Sequence, residues 1–314
     1  MRDQFGRTVD YLRLSVTDLC NYRCQYCMPP EGVRKREHRD ILRVEECVEI
    51  VRAAAGCGVK KVRLTGGEPL VRRGILDICR GIAAIPGIDE LCLTTNGSLL
   101  PELARPLREA GVARLNISVD TLRPDRFAAV TRTGELSRVL EGIAAAERAG
   151  FTGLKLNAVL IGEFNEDELG DFLALTMDHP WEVRFIELMP MGPCAGWERS
   201  RFLSGDEVLR RFPALEPVKS AGVARRFRLP GAAGTVGLIS PLSHGFCGSC
   251  RRLRVTADGK LKSCLHSREE TDLRGLHGAE LEAAIRRGIA AKPERHHLTC
   301  RPSDTPRNMN EIGG

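Results

Sequence analysis

Tyr11-Leu12-Arg13-Leu14-Ser15-Val16-Thr17-Asp18-Leu19-Cys20-Asn21-Tyr22-Arg23-Cys24-Gln25-Tyr26-Cys27 decides the fold. Residues 11–16 are a β-type run, and three thiols follow within eight residues, at Cys20, Cys24 and Cys27. Only an irregular loop turns all three toward one point. Iron–sulfur clusters are ordinarily held by four cysteines, so three thiolates leave one iron of a four-iron cluster without a protein ligand. That open iron can chelate a small molecule. Structural zinc takes four closed ligands; His38, the fourth to consider, lies in the charged segment 34–39.

Outward from this loop, residues 11 to about 189 alternate β-type and helical runs. The β-type runs are 11–16, 61–64, 90–94, 113–118, 154–160 and 182–186; the helical runs are 44–55, 74–84, 99–110, 136–149 and 166–177. Gly56, Gly111 and Gly150 are the expected C-caps of three helices. Five β-α alternations predict an α/β fold, with a parallel sheet that is open or curled into a full or partial barrel. In either form, ligands collect at the C-terminal ends of the strands. The polar strand tails would form the rim of the site: Thr65-Gly66-Gly67-Glu68, Thr94-Thr95-Asn96-Gly97, Ser118-Val119-Asp120 and Glu187-Leu188-Met189.

The rhythm changes at the breaker cluster Pro190-Met191-Gly192-Pro193, which sets an N-terminal region, 1–190, apart from a C-terminal one, 191–314. The second region reads as a helix over 206–212, strands over 225–229 and 235–239, a helix over 279–287, and a polar tail without periodicity over 301–314. Within it, Cys247-Gly248-Ser249-Cys250 and, after thirteen further residues, Cys264 gather three more thiols. His244 or His266 could complete a zinc ribbon, so these residues alone leave zinc and iron–sulfur both open. Cys47, Cys57, Cys79, Cys92, Cys194 and Cys300 are dispersed, mostly in apolar stretches, where cysteine behaves as a small hydrophobe.

A length of 314 residues allows two domains, or one large barrel with an appendage. No apolar run is long enough to span a bilayer, and residues 1–8 are polar, unlike a signal peptide; a cytoplasmic location is expected. In that compartment twelve cysteines point to metal or redox chemistry rather than disulfides. A net charge of +6 suits an anionic ligand, but the basic residues are scattered and aromatics make up only 5%, which argues against nucleic acid. There is no Ser–His–Asp arrangement, and Gly66-Gly67-Glu68 lacks the Gly-Lys-Ser/Thr ending of a P-loop.

The cysteine loop behind the first strand, with Gly66-Gly67-Glu68-Pro69 behind the second, resembles the radical SAM (S-adenosylmethionine) superfamily. Further runs resemble the GTP 3',8-cyclase family, over essentially the whole chain: residues 11–18, 239–247 and 252–260, Cys264-Leu265, and the terminal Met309-Asn310-Glu311-Ile312-Gly313-Gly314. Arg251 stands where that family usually has Asn. The resemblance implies a partial (β/α)6 TIM-like barrel of the radical SAM type with a C-terminal extension. It implies two [4Fe-4S] clusters, the first on Cys20, Cys24 and Cys27 and the second on Cys247, Cys250 and Cys264. S-adenosylmethionine would be held by Tyr26, through its backbone, and by Gly67, Ser118 and Met189. GTP would be held by Arg13, Arg63, Thr94, Lys155, Arg252, Leu253 and Arg254, with Lys61 and Arg184 in a second rank. Arg13, Arg252, Arg254, Gly313 and Gly314 would be catalytic, the tail reaching into the active site.

The implied activity is that of a lyase. It cyclises GTP to (8S)-3',8-cyclo-7,8-dihydroguanosine 5'-triphosphate, the opening step of molybdenum cofactor (molybdopterin) biosynthesis. The implied partners are GTP, a reducing electron donor, a downstream cyclic pyranopterin monophosphate synthase and a second copy in a homodimer, with neither membrane nor nucleic acid. The alternative enzyme is a radical SAM peptide-modifying maturase with an auxiliary cluster, which normally carries more C-terminal cysteines than the four found after residue 200. A zinc-stabilised nucleic-acid-binding protein is the non-enzymatic alternative.

Overall fold

Successive side chains of a strand point to opposite faces. β1 (Tyr11–Ser15) accordingly buries Leu12 and Leu14 in the core and turns Tyr11 and Arg13 into a cavity. β2 (Lys61–Thr65) does the same, with Val62 and Leu64 in the core and Lys61 and Arg63 in the cavity. Each apolar side chain buried this way contributes roughly 1.5–3 kcal/mol, enough to fix the register and with it the cations on the other face.

The computed structural model describes residues 1–33, 36–220, 222–298 and 303–313, with His38 described by its backbone alone. Cys300, Gly314 and the His38 side chain, all singled out in the sequence, lie outside the described residues. The parallel strands continue as β3 (Glu90–Thr95), β4 (Arg114–Ser118), β5 (Lys155–Leu160) and β6 (Glu182–Glu187). Between them run α1 (Val44–Gly56), α2 (Ile75–Ala83), α3 (Leu100–Glu109), α4 (Pro124–Thr131), α5 (Leu136–Arg148) and α6 (Leu169–Asp178). The six expected strands and five expected helices are present, with ends shifted by no more than three residues.

Two local expectations need correction. α4 was not expected: it is short, and Pro124 in its first turn reads as a breaker until the buried Phe127, Val130 and Thr131 show an inward face. Gly56 is the last residue of α1 rather than a cap; Cys57 closes the helix and Gly58, at φ 90°, makes the left-handed turn. Gly111 and Gly150 take positive φ behind α3 and α5 as expected.

The C-terminal region comprises α7 (Asp206–Arg211), β7 (Glu216–Val218), β8 (Arg225–Arg228), β9 (Thr235–Ile239), β10 (Arg252–Val255), β11 (Lys260–Lys262), β12 (Thr271–Asp272), α8 (Gly278–Ala290) and α9 (Met309–Ile312). It takes up both edges of the barrel sheet. β9 lies parallel to β6 and β10 parallel to β1, and antiparallel β8–β7 and β11–β12 finish the two ends, giving the order β12-β11-β10-β1-β2-β3-β4-β5-β6-β9-β8-β7. Among the described residues no helix is long and apolar enough to cross a membrane.

Candidate functional site

The loop after β1 is turned back by the N–H groups of Cys27 and Met28, which donate to the Cys24 carbonyl at 2.9 and 3.1 Å. It is braced against the end of β2, where Gly67 N–H donates to Thr17 O and Glu68 N–H to Leu19 O, both at 2.8 Å. A Cβ on Gly67 would stand 2.4 Å from the Leu19 carbonyl oxygen, so only glycine fits. The close approach that this glycine permits is to the main chain of the cysteine loop itself.

Cys20, Cys24 and Cys27 are free of disulfides, only partly exposed, and line one cavity of about 1150 Å³. Burial is the main cause that pushes their thiols up: Cys20 to about 11 with Glu68 adding, Cys27 to about 12 with Cys20 adding, and Cys24 well up with Cys27 adding. Thiolates in such a place need a cation to share their charge. Zinc takes four closed ligands, whereas three thiolates are enough to hold a four-iron cluster with one iron left open, so this donor set suits the cluster better.

Cys247, Cys250 and Cys264 are likewise free, partly exposed, and line the same cavity. Their surroundings differ. Burial raises the Cys250 thiol, but Arg252 and Lys292 outweigh it and bring Cys250 down to about 7. Arg251 donates from Nε to Asp10 Oδ1 at 2.8 Å, and its carbonyl accepts from the N–H groups of Asp10 and Tyr11. The residue that departs from the family's Asn thus ties the second cysteine loop to the start of β1.

Between the two groups lies a wall of cations built by strand register. Arg254, Arg13 and Arg63 stand side by side on β10, β1 and β2, with Arg252, Tyr11 and Lys61 two residues along. Burial pulls Arg13 down to about 10, with Arg63 and Arg252 adding to the fall, and pulls Arg254 well down, with Arg13 and Arg252 adding. Burial would raise the Tyr11 phenol, but Arg63 and Arg13 bring it down to about 8, and Arg63 Nε donates to Tyr11 Oη at 2.6 Å. Cations crowded like this are relieved by an anion. Thr94 Oγ1 accepts from Arg63 at 3.3 Å. Lys155 pairs with Glu182 at 3.0 Å and is brought down to about 8 by burial and then by Arg184. Nearby, Asn116 Oδ1 and Asn157 Oδ1 are buried cavity-lining acceptors without a hydrogen-bond partner among the described residues. Such acceptors favour a ligand that brings donors.

Of the residues expected to hold S-adenosylmethionine, Tyr26, Gly67, Ser118 and Met189 all line this cavity. Tyr26 also uses its side chain: Oη donates to Asp120 Oδ2 at 2.7 Å, while Asp120 Oδ1 accepts the Val159 N–H at 2.9 Å. Glu68 is buried, held by Thr95 Oγ1, Asn96 N–H and Leu70 N–H, and raised to about 7 by burial.

The described part of the polar tail, residues 303–313, packs against the barrel. Arg254 Nη1 donates to the Gly313 carbonyl at 2.6 Å. Gly313 has φ 79°, and a Cβ there would stand 2.2 Å from Thr65 Oγ1, so both conformation and space require glycine. Asn310 Nδ2 donates to Asp18 O at 3.1 Å, and Arg36 bridges Asp18, Asp258 and Glu311 at 3.0–3.3 Å. Leu253 is placed differently from the other expected GTP residues. It is fully buried in the core on the opposite face of β10 from Arg252 and Arg254, and is not among the residues that line the cavity.

Sequence reasoning missed Lys292 beside Cys250, and gave no individual role to Asp120 behind Tyr26 or to Glu187. The Glu187 carboxylate accepts from the N–H groups of Gly205, Leu242 and Ser243, anchoring the second cysteine region to β6. Asp120 and Glu187 stand in the strand tails already read as the rim. No spacing in the sequence marks Lys292.

The chain matches the radical SAM superfamily over residues 14–176 and the molybdenum cofactor synthesis C family over residues 181–298. It is 52% identical over 320 residues to the GTP 3',8-cyclase of Alkaliphilus metalliredigens (strain QYMF), with 100% of both chains covered. It is 52% identical over 323 residues to that of Geobacter sulfurreducens (strain ATCC 51573 / DSM 12127 / PCA), with 99% of both covered. Among solved structures, Streptococcus suis SuiB shares the fold at a TM-score of 0.62 and 13% identity, over 96% of this chain and 76% of that one. AdoMet-bound anSMEcpe does so at 0.61 and 13%, over 92% and 82%. Full-length identity of this order, over a barrel whose cavity gathers both three-cysteine groups and the arginine wall, places the chain in the GTP 3',8-cyclase family of the radical SAM superfamily.

Proposed function

We propose that the chain is a lyase that cyclises GTP between C3' and C8, using S-adenosylmethionine, to open molybdenum cofactor biosynthesis. The observation that carries this reading is the row Arg254, Arg13 and Arg63, in one cavity with two separate three-thiol groups. Cys20, Cys24 and Cys27 would hold the first [4Fe-4S] cluster and Cys247, Cys250 and Cys264 the second. With S-adenosylmethionine bound and one electron from the reducing donor, the first cluster would supply a carbon radical able to take hydrogen from a ribose.

The chain's own residues bind, orient and exclude water. Arg13, Arg63, Arg252 and Arg254 neutralise the triphosphate with charge-assisted hydrogen bonds, and Lys155 and Thr94 complete that wall. The orphaned acceptors of Asn116 and Asn157 suit the hydroxyl and amino donors of a guanosine. Tyr26, Gly67, Ser118 and Met189 shape the S-adenosylmethionine end. Gly313, pressed against Thr65, brings a main-chain carbonyl to Arg254 where a side chain could not pass; the family resemblance gives Gly313 and Gly314 a catalytic part. Residues 1–190 form the first-cluster domain and 191–314 the second-cluster domain. A reducing electron donor, a cytoplasmic homodimer and hand-over to cyclic pyranopterin monophosphate synthase follow from the family resemblance.

The test is anaerobic. The protein is reconstituted with iron and sulfide, S-adenosylmethionine and a strong reductant are added, and 5'-deoxyadenosine is quantified with and without GTP. Stimulation by GTP, with a cyclised guanine nucleotide, is expected. Formation of 5'-deoxyadenosine with GTP recovered intact would overturn the substrate. Deleting Gly313 and Gly314 should abolish cyclisation and leave both clusters in place; full activity in the deletion refutes the role of the tail.

A further inference from the structure

Lys292 follows α8, is buried at 3% exposure, and directs its ammonium into the second cysteine group. Nζ donates to the Arg252 carbonyl at 2.9 Å and the Ser263 carbonyl at 2.6 Å. Arg252 lies two residues past Cys250, and Ser263 immediately precedes Cys264. One buried cation therefore joins two cysteine segments fourteen residues apart in sequence. Burial pulls the ammonium down; Cys250 and Cys264 oppose that fall and Arg7 adds to it.

The third cysteine is fastened from the same side. Arg7, also buried, donates from Nη1 to the Cys247 carbonyl at 2.9 Å and to the Glu294 carbonyl at 2.8 Å, and from Nη2 to the Pro293 carbonyl at 2.7 Å. Its charge is balanced by Asp3, 2.6 Å from Nε. Gln4 Nε2 donates to the Lys292 carbonyl at 3.3 Å. The N-terminal arm and the stretch 292–294 thus form a single brace behind all three cysteines.

We propose that Lys292 and Arg7 are the outer shell of the second cluster: Lys292 fastens the Cys250 and Cys264 segments together and stabilises the reduced cluster, and Arg7 fastens the Cys247 segment. This rests on assigning the second cluster to Cys247, Cys250 and Cys264. Hydrogen bonds to cluster sulfurs and nearby positive charge raise a cluster's reduction potential, because reduction adds negative charge. Lys292, with no carboxylate of its own, carries the electrostatic part. Arg7, paired with Asp3, carries mainly the positional part. Both are positioning residues.

The experiment uses the full chain with Cys20→Ala, Cys24→Ala and Cys27→Ala, which leaves the second group alone. Iron and sulfide are quantified after anaerobic reconstitution, and the cluster is titrated with reductant under electron paramagnetic resonance. About four irons in this parent uphold the second-cluster assignment; their absence sinks that assignment, and the outer shell with it. Added to the parent, Lys292→Gln is expected to lower the midpoint potential, and Lys292→Arg to restore most of it. Arg7→Gln is expected to speed loss of iron to a chelator with a much smaller change in potential. A Lys292→Gln cluster at the parent's potential overturns the proposal, as does an equal fall in Lys292→Arg. If Lys292→Gln retains no cluster while Lys292→Arg retains a full one, the fastening role stands.

Discussion

The two cysteine groups open on one cavity with opposite electrostatic surroundings. Around the first, burial dominates; Glu68 adds to it at Cys20, and at Cys24 and Cys27 a neighbouring thiol adds more than Asp120 does. Around the second, Arg252 and Lys292 outweigh burial and bring Cys250 down to about 7. The same donors, three thiols, are thus set in two different fields. On the proposed assignment, a cluster in the first field would resist an added electron more than one in the second.

The largest test of this contrast removes one group at a time. Cys24→Ser should reduce 5'-deoxyadenosine formation to background, while Cys250→Ser should still cleave S-adenosylmethionine and lose the cyclised nucleotide. Equal loss of both products in the two variants would break the division of labour. Next in size is the cation row. Arg254→Ala removes charge-assisted hydrogen bonds at about 2 kcal/mol, or roughly thirtyfold in the Kd for GTP, with S-adenosylmethionine binding unaltered. An unchanged Kd by equilibrium dialysis would place the triphosphate elsewhere. The smallest effect concerns Glu68, raised to about 7 by burial. As pH rises through neutrality its carboxyl loses a proton, so negative charge appears near Cys20 and the first cluster's potential should fall. Glu68→Gln should flatten that slope, and the second cluster should not respond. The same group bears on stability. A carboxyl whose folded value lies above its unfolded one near 4.5 stabilises the fold fully below 4.5, and loses that contribution as pH rises through about 7.

Features that depend on spacing were legible in the sequence. The cysteine loop declared itself because Cys20, Cys24 and Cys27 are local, and the barrel because strand and helix periods alternate audibly along the chain. Arg13 and Arg63 could be placed by family likeness, and the period of two explains why both face the cavity while Leu12 and Val62 do not. The same period shows why Leu253, between Arg252 and Arg254, turns its side chain away. What escaped was non-local. Asp120 meets Tyr26 across 94 residues and Lys292 meets Arg252 across 40; no window of sequence contains either pair. β10–β12 escaped because such short strands, two of them rich in Arg or Lys, form only by pairing with β1 or with each other.

β10 reaches β1 from the far end of the chain, pairing Arg254 with Arg13 across some 240 positions. A ribosome delivers residues in order, so a nascent chain exposes Cys20, Cys24, Cys27, Arg13 and Arg63 long before their neighbour on β10 exists. Contacts this distant in sequence form late and slowly. The complete arginine row is thus a feature of the finished polypeptide alone. A truncated or stalled chain carries the first cysteine loop beside an arginine row that lacks its third member.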